Sequence, residues 1–116
     1  MPRVNYTHVT LECIDCLPVA LNDTNVVRNT LRLAAATCHL NILKEDLYAF
    51  QPQGITGYLL LSESHISIHT WPEEQFALID VMSCAQLNVE ALLQCIRETL
   101  RPSRMSTSCQ FHTDKK

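Results

Sequence analysis

The segment that decides the fold is an alternating run in the middle of the chain, His65-Ile66-Ser67-Ile68-His69-Thr70-Trp71-Pro72. Its two isoleucines fall on one side, and His65, Ser67 and His69 fall on the other. A period of two residues is typical of a β-strand with one buried face. Pro72 ends the strand, because proline cannot donate a hydrogen bond to a neighbouring strand.

Further strands are predicted on both sides of this run. Residues 7–13 alternate in the same way, with Val9, Leu11 and Cys13 on one face. Other apolar stretches predict strands at four places: residues 41–50, 58–63, 76–82 and 105–111. A turn at Pro52-Gln53-Gly54 precedes the strand at 58–63.

Two helices are predicted from periodic apolar residues and capping signals. Thr24 or a neighbour caps the first, whose apolar face is Val27, Leu31, Ala34, Ala35 and Cys38. Asn88 caps the second, which ends before Pro102 and has as its apolar residues Val89, Leu92, Leu93, Ile96 and Leu100. This order predicts an α+β fold: a two-layer α/β sandwich with a mainly antiparallel sheet and two helices on one face.

Composition indicates one globular domain spanning residues 1–116, with 47% apolar and 18% charged residues. A net charge of −3 with nine basic residues argues against a sequence-independent nucleic-acid binder. No apolar run approaches the roughly 20 residues that span a bilayer. The first residues lack the apolar stretch of a signal peptide, so we expect a cytoplasmic protein.

Cysteines and histidines do not indicate a metal site or a disulfide framework. With no signal peptide, free thiols are the better interpretation of the six cysteines. Cys13 and Cys16 have redox or zinc spacing, but no second Cys-x-x-Cys or matching histidine pair accompanies them. His65 and His69 would share a strand face about 13 Å apart, too far for one metal ion.

Side chains that could take part in catalysis are concentrated in the segment 62–73. It holds three serines, two histidines, two glutamates and the only tryptophan. A nucleophile elbow is not indicated, because no glycine flanks Ser64. The only glycines, Gly54 and Gly57, lie just upstream. Such scarce glycines are typical of positions where the backbone bends unusually or is approached closely.

Two stretches resemble the short, single-domain prokaryotic S-adenosylmethionine decarboxylase proenzyme family. They are Pro52-Gln53-Gly54-Ile55-Thr56-Gly57 and Glu63-Ser64-His65-Ile66-Ser67-Ile68-His69-Thr70-Trp71-Pro72-Glu73. The resemblance runs over most of the chain, and the length and order of elements agree. It implies a pyruvoyl-dependent carboxy-lyase that supplies decarboxylated S-adenosylmethionine, the aminopropyl donor of spermidine and polyamine biosynthesis.

Carried onto this sequence, the family's self-cleavage falls at the bond between Glu63 and Ser64. The resemblance implies that Ser64 Oγ attacks the Glu63 carbonyl and converts the amide into an ester. Loss of the Ser64 α-proton then eliminates the ester and leaves dehydroalanine, whose hydrolysis gives ammonia and a pyruvoyl group. The expected products are a β chain of residues 1–63 and an α chain of residues 64–116.

The resemblance also implies roles for three further residues. His69 would be the base that takes the α-proton, as suits an imidazole near neutral pH. Thr56 matches a hydroxyl position that assists processing and could polarise the Glu63 carbonyl. Cys84, twenty residues after Ser64, would protonate the product after the pyruvoyl carbonyl has formed a Schiff base with the substrate amine and carbon dioxide has left.

Substrate-binding residues follow from the same resemblance. Phe50 and Trp71 fall where the family places aromatic side chains, which suit a flat adenine and a sulfonium cation. Glu73 could accept hydrogen bonds from ribose hydroxyls. The family forms homodimers, and so small a core agrees with a pocket completed by a second copy of the chain.

Departures from the family pattern keep two alternatives open. The chain has Tyr48 where the family often has histidine, Ala85 where it has glycine, and Glu74-Gln75-Phe76 in place of Tyr-Gly-Tyr. These changes flank the pocket, so a pyruvoyl-dependent ornithine or arginine decarboxylase of the same fold stays an alternative. A non-catalytic regulatory homologue is the second.

Overall fold

The computed structural model describes residues 4–113, and within them six strands form one sheet. The strands are β1 (Tyr6–Ile14), β2 (Ile42–Ala49), β3 (Ile55–Leu61), β4 (Ser64–Trp71), β5 (Phe76–Ser83) and β6 (Arg104–His112). Their spatial order is β2-β3-β4-β5-β1-β6, and each neighbouring pair is antiparallel. The predicted antiparallel sheet is confirmed.

The helices are α1 (Pro18–Leu21), α2 (Thr24–Thr37) and α3 (Val89–Leu100). The side chain of Asp23 caps α2 by accepting from the amides of Asn25 and Val26, and Asn88 caps α3. The two long helices contact each other and bury the apolar residues predicted from their periodicity, except Val89, which is partly buried. The single turn α1 has no periodic apolar pattern to predict it, and Pro18 begins it. Proline is tolerated in the first turn of a helix.

The sheet has two faces of different chemistry. On the core face, which packs against the helices, the row Val9, Val81 and Ile66 is fully buried, as is Leu11 beside Ile79 and Ile68. On the opposite side, the outer face, lie the alternate residues of the same strands. The outer face of β2, β3 and β4 carries exposed apolar side chains, namely Tyr48, Tyr58, Leu60 and Trp71.

The turn between β3 and β4 corrects the predicted strand 58–63. β3 ends at Leu61, which pairs with Ser64, so Ser62 and Glu63 form a two-residue turn. Glu63 has a φ of 56°, in the left-handed region that a strand residue cannot occupy. The end of β3 was not predicted, because its apolar run leads into a turn that contains neither glycine nor proline.

Both glycines occupy positions that need them. Gly54 has a φ of 100°, and its amide donates to the side chain of Asn22 at 3.0 Å. A Cβ on Gly57 would lie 2.8 Å from Cγ of Leu47, its partner on β2. The expectation of unusual bending and of close approach is therefore confirmed, at one glycine each.

Replacing Gln75 by glycine should stabilise the chain. Gln75 has a φ of 53° at the end of the 3-10 turn Pro72–Glu74, although left-handed backbone is unfavourable for a residue with a Cβ. Relief of this strain, less the entropy that glycine adds to the unfolded chain, should raise the unfolding free energy by about 0.5–1 kcal/mol. Urea denaturation of uncut Ser64→Ala protein would measure it. Gln75→Ala keeps the strain and should show no gain; an equal gain would contradict the argument.

Candidate active site

The candidate cleavage bond lies at the tip of the β3–β4 hairpin. Glu63 is exposed in the turn, whereas Ser64 begins β4 on the core face with 6% of its surface exposed. The bond therefore joins a residue in left-handed conformation to a buried strand residue. Left-handed backbone also occurs at Asp15, His39, Gln75 and Arg101, so what distinguishes Glu63 is the buried serine that follows it.

Two side chains define the surroundings of Ser64. Its hydroxyl donates to Oγ of Ser83 at 3.1 Å, and Oγ of Ser83 also accepts from the amide of Ala85 at 3.0 Å. Cys84 lies between these two residues and is exposed. Ser83 was missed in the sequence, although the alternation of β5 places it on the core face beside Ser64.

A groove of about 620 Å³ opens next to this row of residues. Ser64, Ser83, Thr7 and Phe111 pair in sequence across β4, β5, β1 and β6. Thr7 and Phe111 line the groove, and so does Cys84. Ser64 and Cys84 thus lie at the same end of the sheet. Cys84 lines the groove, which is large enough for a small molecule, and Ser64 lies two strands away from Thr7 at its edge.

His69 and Thr56 form a second group on the outer face. They are paired across β3 and β4, and Oγ1 of Thr56 lies 3.1 Å from Nδ1 of His69. The His69 ring stacks with that of Trp71 at a centroid distance of 6.2 Å, and Trp71 contacts Phe76. The hydrogen bond from Thr56 fixes the orientation of the His69 imidazole.

The remaining candidate binding residues lie at the His69 end of the sheet. Phe50 follows the end of β2, contacts Tyr48 edge-on at 4.9 Å and is half-exposed. Glu73 is exposed in the 3-10 turn directly after Trp71. Phe50, Trp71 and Glu73 therefore accompany His69 and Thr56, and not Ser64.

The structure does not bring the two groups together within one chain. Ser64 and His69 are five residues apart on a straight strand, which separates them by about 16 Å. Their side chains also point to opposite faces, since Ser64 is buried on the core face and His69 lies on the outer face. His69 cannot take a proton from Ser64 of the same chain in this arrangement.

A carboxylate between two imidazoles occupies the centre of the outer face. Oδ2 of Asp80 on β5 lies 2.9 Å from Nε2 of His65 on β4, and Oδ1 contacts Nε2 of His8 on β1. Burial alone would raise the pKa of the Asp80 carboxyl, but the hydrogen bonds from His65 and His8 outweigh it and hold the pKa below its ordinary value. Sequence reasoning missed this cluster, because its members come from three strands.

The cysteines are free thiols, and four of the six are buried. A hydrogen bond between the thiols of Cys13 and Cys16 raises the pKa of Cys13 and lowers that of Cys16. This pair lies near Gln75 and Ala77, at the far end of β5 from Ser83. Among residues 4–113, no cluster of histidine, cysteine and acidic side chains is arranged to hold a metal ion.

Comparison with known sequences identifies relatives of one kind. A family model described as S-adenosylmethionine decarboxylase matches residues 7–110. A Parasynechococcus marenigrum protein named S-adenosylmethionine decarboxylase proenzyme is 42% identical over 98 residues, covering 84% of this chain and 77% of the relative. A Methanococcus aeolicus protein of the same name is 38% identical over 98 residues, which is 84% of each chain.

Solved structures agree with these relatives. The crystal structure of the adenosylmethionine decarboxylase from Aquifex aeolicus is 27% identical and matches with a TM-score of 0.85 over 99% of this chain and 96% of that one. AdoMetDC from Trypanosoma brucei matches at 18% identity with a TM-score of 0.62, covering 92% of this chain and 46% of that one. The latter likeness shows the fold alone.

None of the helices in the described part of this chain is long and apolar enough to cross a membrane.

Proposed function

Because the chain belongs to the S-adenosylmethionine decarboxylase family, we propose that it is a self-cleaving proenzyme that decarboxylates S-adenosylmethionine through a pyruvoyl group made from Ser64. It is a carboxy-lyase whose product feeds polyamine biosynthesis. The observation that carries the residue assignment is the position of Ser64, buried directly after the strained Glu63 and beside Cys84.

The surroundings of Ser64 fit its conversion into a pyruvoyl group. Ser64 is buried, which holds its side chain in place, and the left-handed Glu63 turns its carbonyl out of the regular strand path. Ser83 accepts the hydroxyl proton of Ser64, which directs Oγ before it attacks the carbonyl carbon of Glu63. When formed, the pyruvoyl carbonyl supplies the electrophile that holds the substrate amine and takes up the electron pair released with carbon dioxide.

We assign the proton transfers to His69 and Cys84. His69 is held at Nδ1 by Thr56, so Nε2 is the atom that takes the α-proton of Ser64 during processing. Cys84 lines the groove beside Ser64 and is exposed to it. This position supports Cys84 as the acid that protonates the substrate carbon after carbon dioxide leaves.

A homodimer would remove the separation along β4, with His69 of one chain approaching the main chain of Ser64 of the other at the end of the strand. If two copies pack their outer faces in opposite directions, the His69 end of one chain meets the Ser64 end of the other. A two-fold axis then generates two equal sites. The exposed apolar side chains of Tyr58, Leu60 and Trp71 support this face as the interface, since a monomer gains nothing from exposing them.

A cytoplasmic location stays a prediction from the sequence.

In such a site the substrate lies between the partners. Phe50 and Trp71 of one chain offer aromatic faces to the adenine and the sulfonium group, and Glu73 of that chain offers a carboxylate to the ribose hydroxyls. The methionyl end of the substrate reaches the groove beside Cys84 of the other chain. An ornithine or arginine decarboxylase would have no use for two aromatic side chains beside a ribose-binding carboxylate.

The proposal is tested by intact mass and by substrate choice. Purified protein should separate into two chains divided at residue 64, and the second chain alone should gain mass with a carbonyl reagent such as phenylhydrazine. Carbon dioxide should be released from S-adenosylmethionine and not from ornithine or arginine. A single uncut chain after long incubation would favour the regulatory homologue, and release from ornithine alone would favour the other decarboxylase.

Replacement of Cys84 should separate processing from turnover. Cys84→Ala should still cleave and carry the carbonyl group, but kcat should fall by about 10²-fold, because the substrate carbon loses its proton donor. Cys84→Ser restores the size without a comparable acid and should stay equally slow. Steady-state assay and intact mass measure both properties; full activity in either variant would refute the assignment.

A further inference from the structure

The Asp80 cluster, defined as His8, Asp80 and His65, has no role in the chemistry described so far. It spans β1, β5 and β4 on the outer face, with one imidazole on each carboxylate oxygen. His65 and Asp80 are only partly exposed, with side-chain exposures of 42% and 29%. A carboxylate that accepts from two rings in this way fixes both of them, because each ring is held at a defined atom.

The role of the Asp80 cluster is inferred from the position of His65, directly after the cleavage site. This role rests on the proposed function. Residue 64 pairs with Leu61 and Ser83, but cleavage removes its bond to Glu63 and expels its nitrogen as ammonia. Any ladder hydrogen bond from that N–H is lost as well. The new end of the α chain is then free to fray, as chain ends do. His65 becomes the first residue of that chain with an intact amide and a side-chain contact.

We propose that Asp80, through His65, is a positioning residue that holds the pyruvoyl end of the α chain in register after cleavage. The hydrogen bond between His65 and Asp80 ties the start of β4 to β5, the strand that leads directly into Cys84. His8 holds the second oxygen of Asp80 and keeps the carboxylate turned toward β4. Before cleavage the β3–β4 hairpin supplies the same restraint covalently.

Because the contact is needed only after cleavage, hydrogen exchange in cut and uncut protein tests the proposal. Asp80→Asn can keep a hydrogen-bond acceptor for only one of the two rings, so the tie to His65 weakens. In the cleaved enzyme, amides in residues 65–68 should exchange about tenfold faster in Asp80→Asn than in the unsubstituted protein. In uncut Ser64→Ala protein, the same substitution should change exchange by less than about twofold, because the hairpin still holds the strand.

Kinetics give a second measurement. Asp80→Asn should cleave fully but lower kcat by about tenfold, with KM changed by less than about twofold, because displacement of the reacting group costs rate more than binding. His65→Gln, at a partly exposed position, should reproduce both effects and carries the test if Asp80→Asn does not fold or dimerise. Glu90→Gln, at an exposed carboxylate on α3 and away from the outer face, is the matched control and should match the unsubstituted protein.

The outcomes separate the possible failures. Faster exchange in both cut and uncut proteins would show an ordinary structural role and overturn the proposal. Unchanged exchange and kcat in cleaved Asp80→Asn and His65→Gln would overturn it equally. If the unsubstituted chain never cleaves, intact mass reveals that the proposed function itself has failed, and the positioning role fails with it.

Discussion

Ser64→Ala should leave the chain uncut and abolish decarboxylation, the largest effect expected of any single substitution. Alanine has no hydroxyl to attack the Glu63 carbonyl, so neither the ester nor the pyruvoyl group can form. Without an electrophile the loss should be at least about 10⁴-fold, since enzymatic acceleration of this size depends on the reactive group. Intact mass and carbon dioxide release measure the two consequences on one sample.

The fold should survive this change. Ser64 loses one hydrogen bond to Ser83, whose oxygen still accepts from the amide of Ala85. Ser67→Ala, three residues along β4 on the outer face, is the matched control and should cleave and turn over normally. A Ser64→Ala chain that still divides at residue 64, or that reacts with phenylhydrazine, would disprove the assignment of the cleavage site.

Mixed dimers should regain activity that neither parent has. Ser64→Ala lacks the nucleophile and His69→Ala lacks the processing base, so each homodimer should be uncut or cut very slowly. If the site is shared between chains, a mixed dimer holds one intact site, built from Ser64 of the His69→Ala chain and His69 of the Ser64→Ala chain. Random mixing of the two chains should then cut about half of the His69→Ala chains and restore about a quarter of full activity.

The controls for this experiment are the two variants alone and a chain carrying both substitutions. Co-expression is needed, so that chains exchange before they fold. Because each chain lacks one of the two groups, a site built within one chain predicts no restoration at all in the mixed dimers. Absence of cut His69→Ala chains, with mixed dimers demonstrated by differential tagging, would reject the shared site.

Much of the fold could be predicted from local pattern. Alternation in residues 65–71 and 7–13, and the caps at Asp23 and Asn88, are short-range signals that the structure confirms. The end of β3 could not be predicted, because the turn at Glu63 is imposed by pairing of Leu61 with Ser64 and by no residue preference. The same holds for Gln75, which sits in left-handed backbone without a glycine.

The site divides along the same line. The sequence by itself indicated which residues are candidates for the chemistry, because the resemblance to the family assigns roles to Ser64, His69 and Cys84. Only the tertiary structure decided which of them meet. Strand pairing places Ser64 beside Ser83 and Cys84, and the straight, alternating path of β4 carries His69 to the other end and the other face. A spacing of five residues corresponds to a distance and a direction only when the backbone conformation is known. Strand pairing across the sheet sets that conformation.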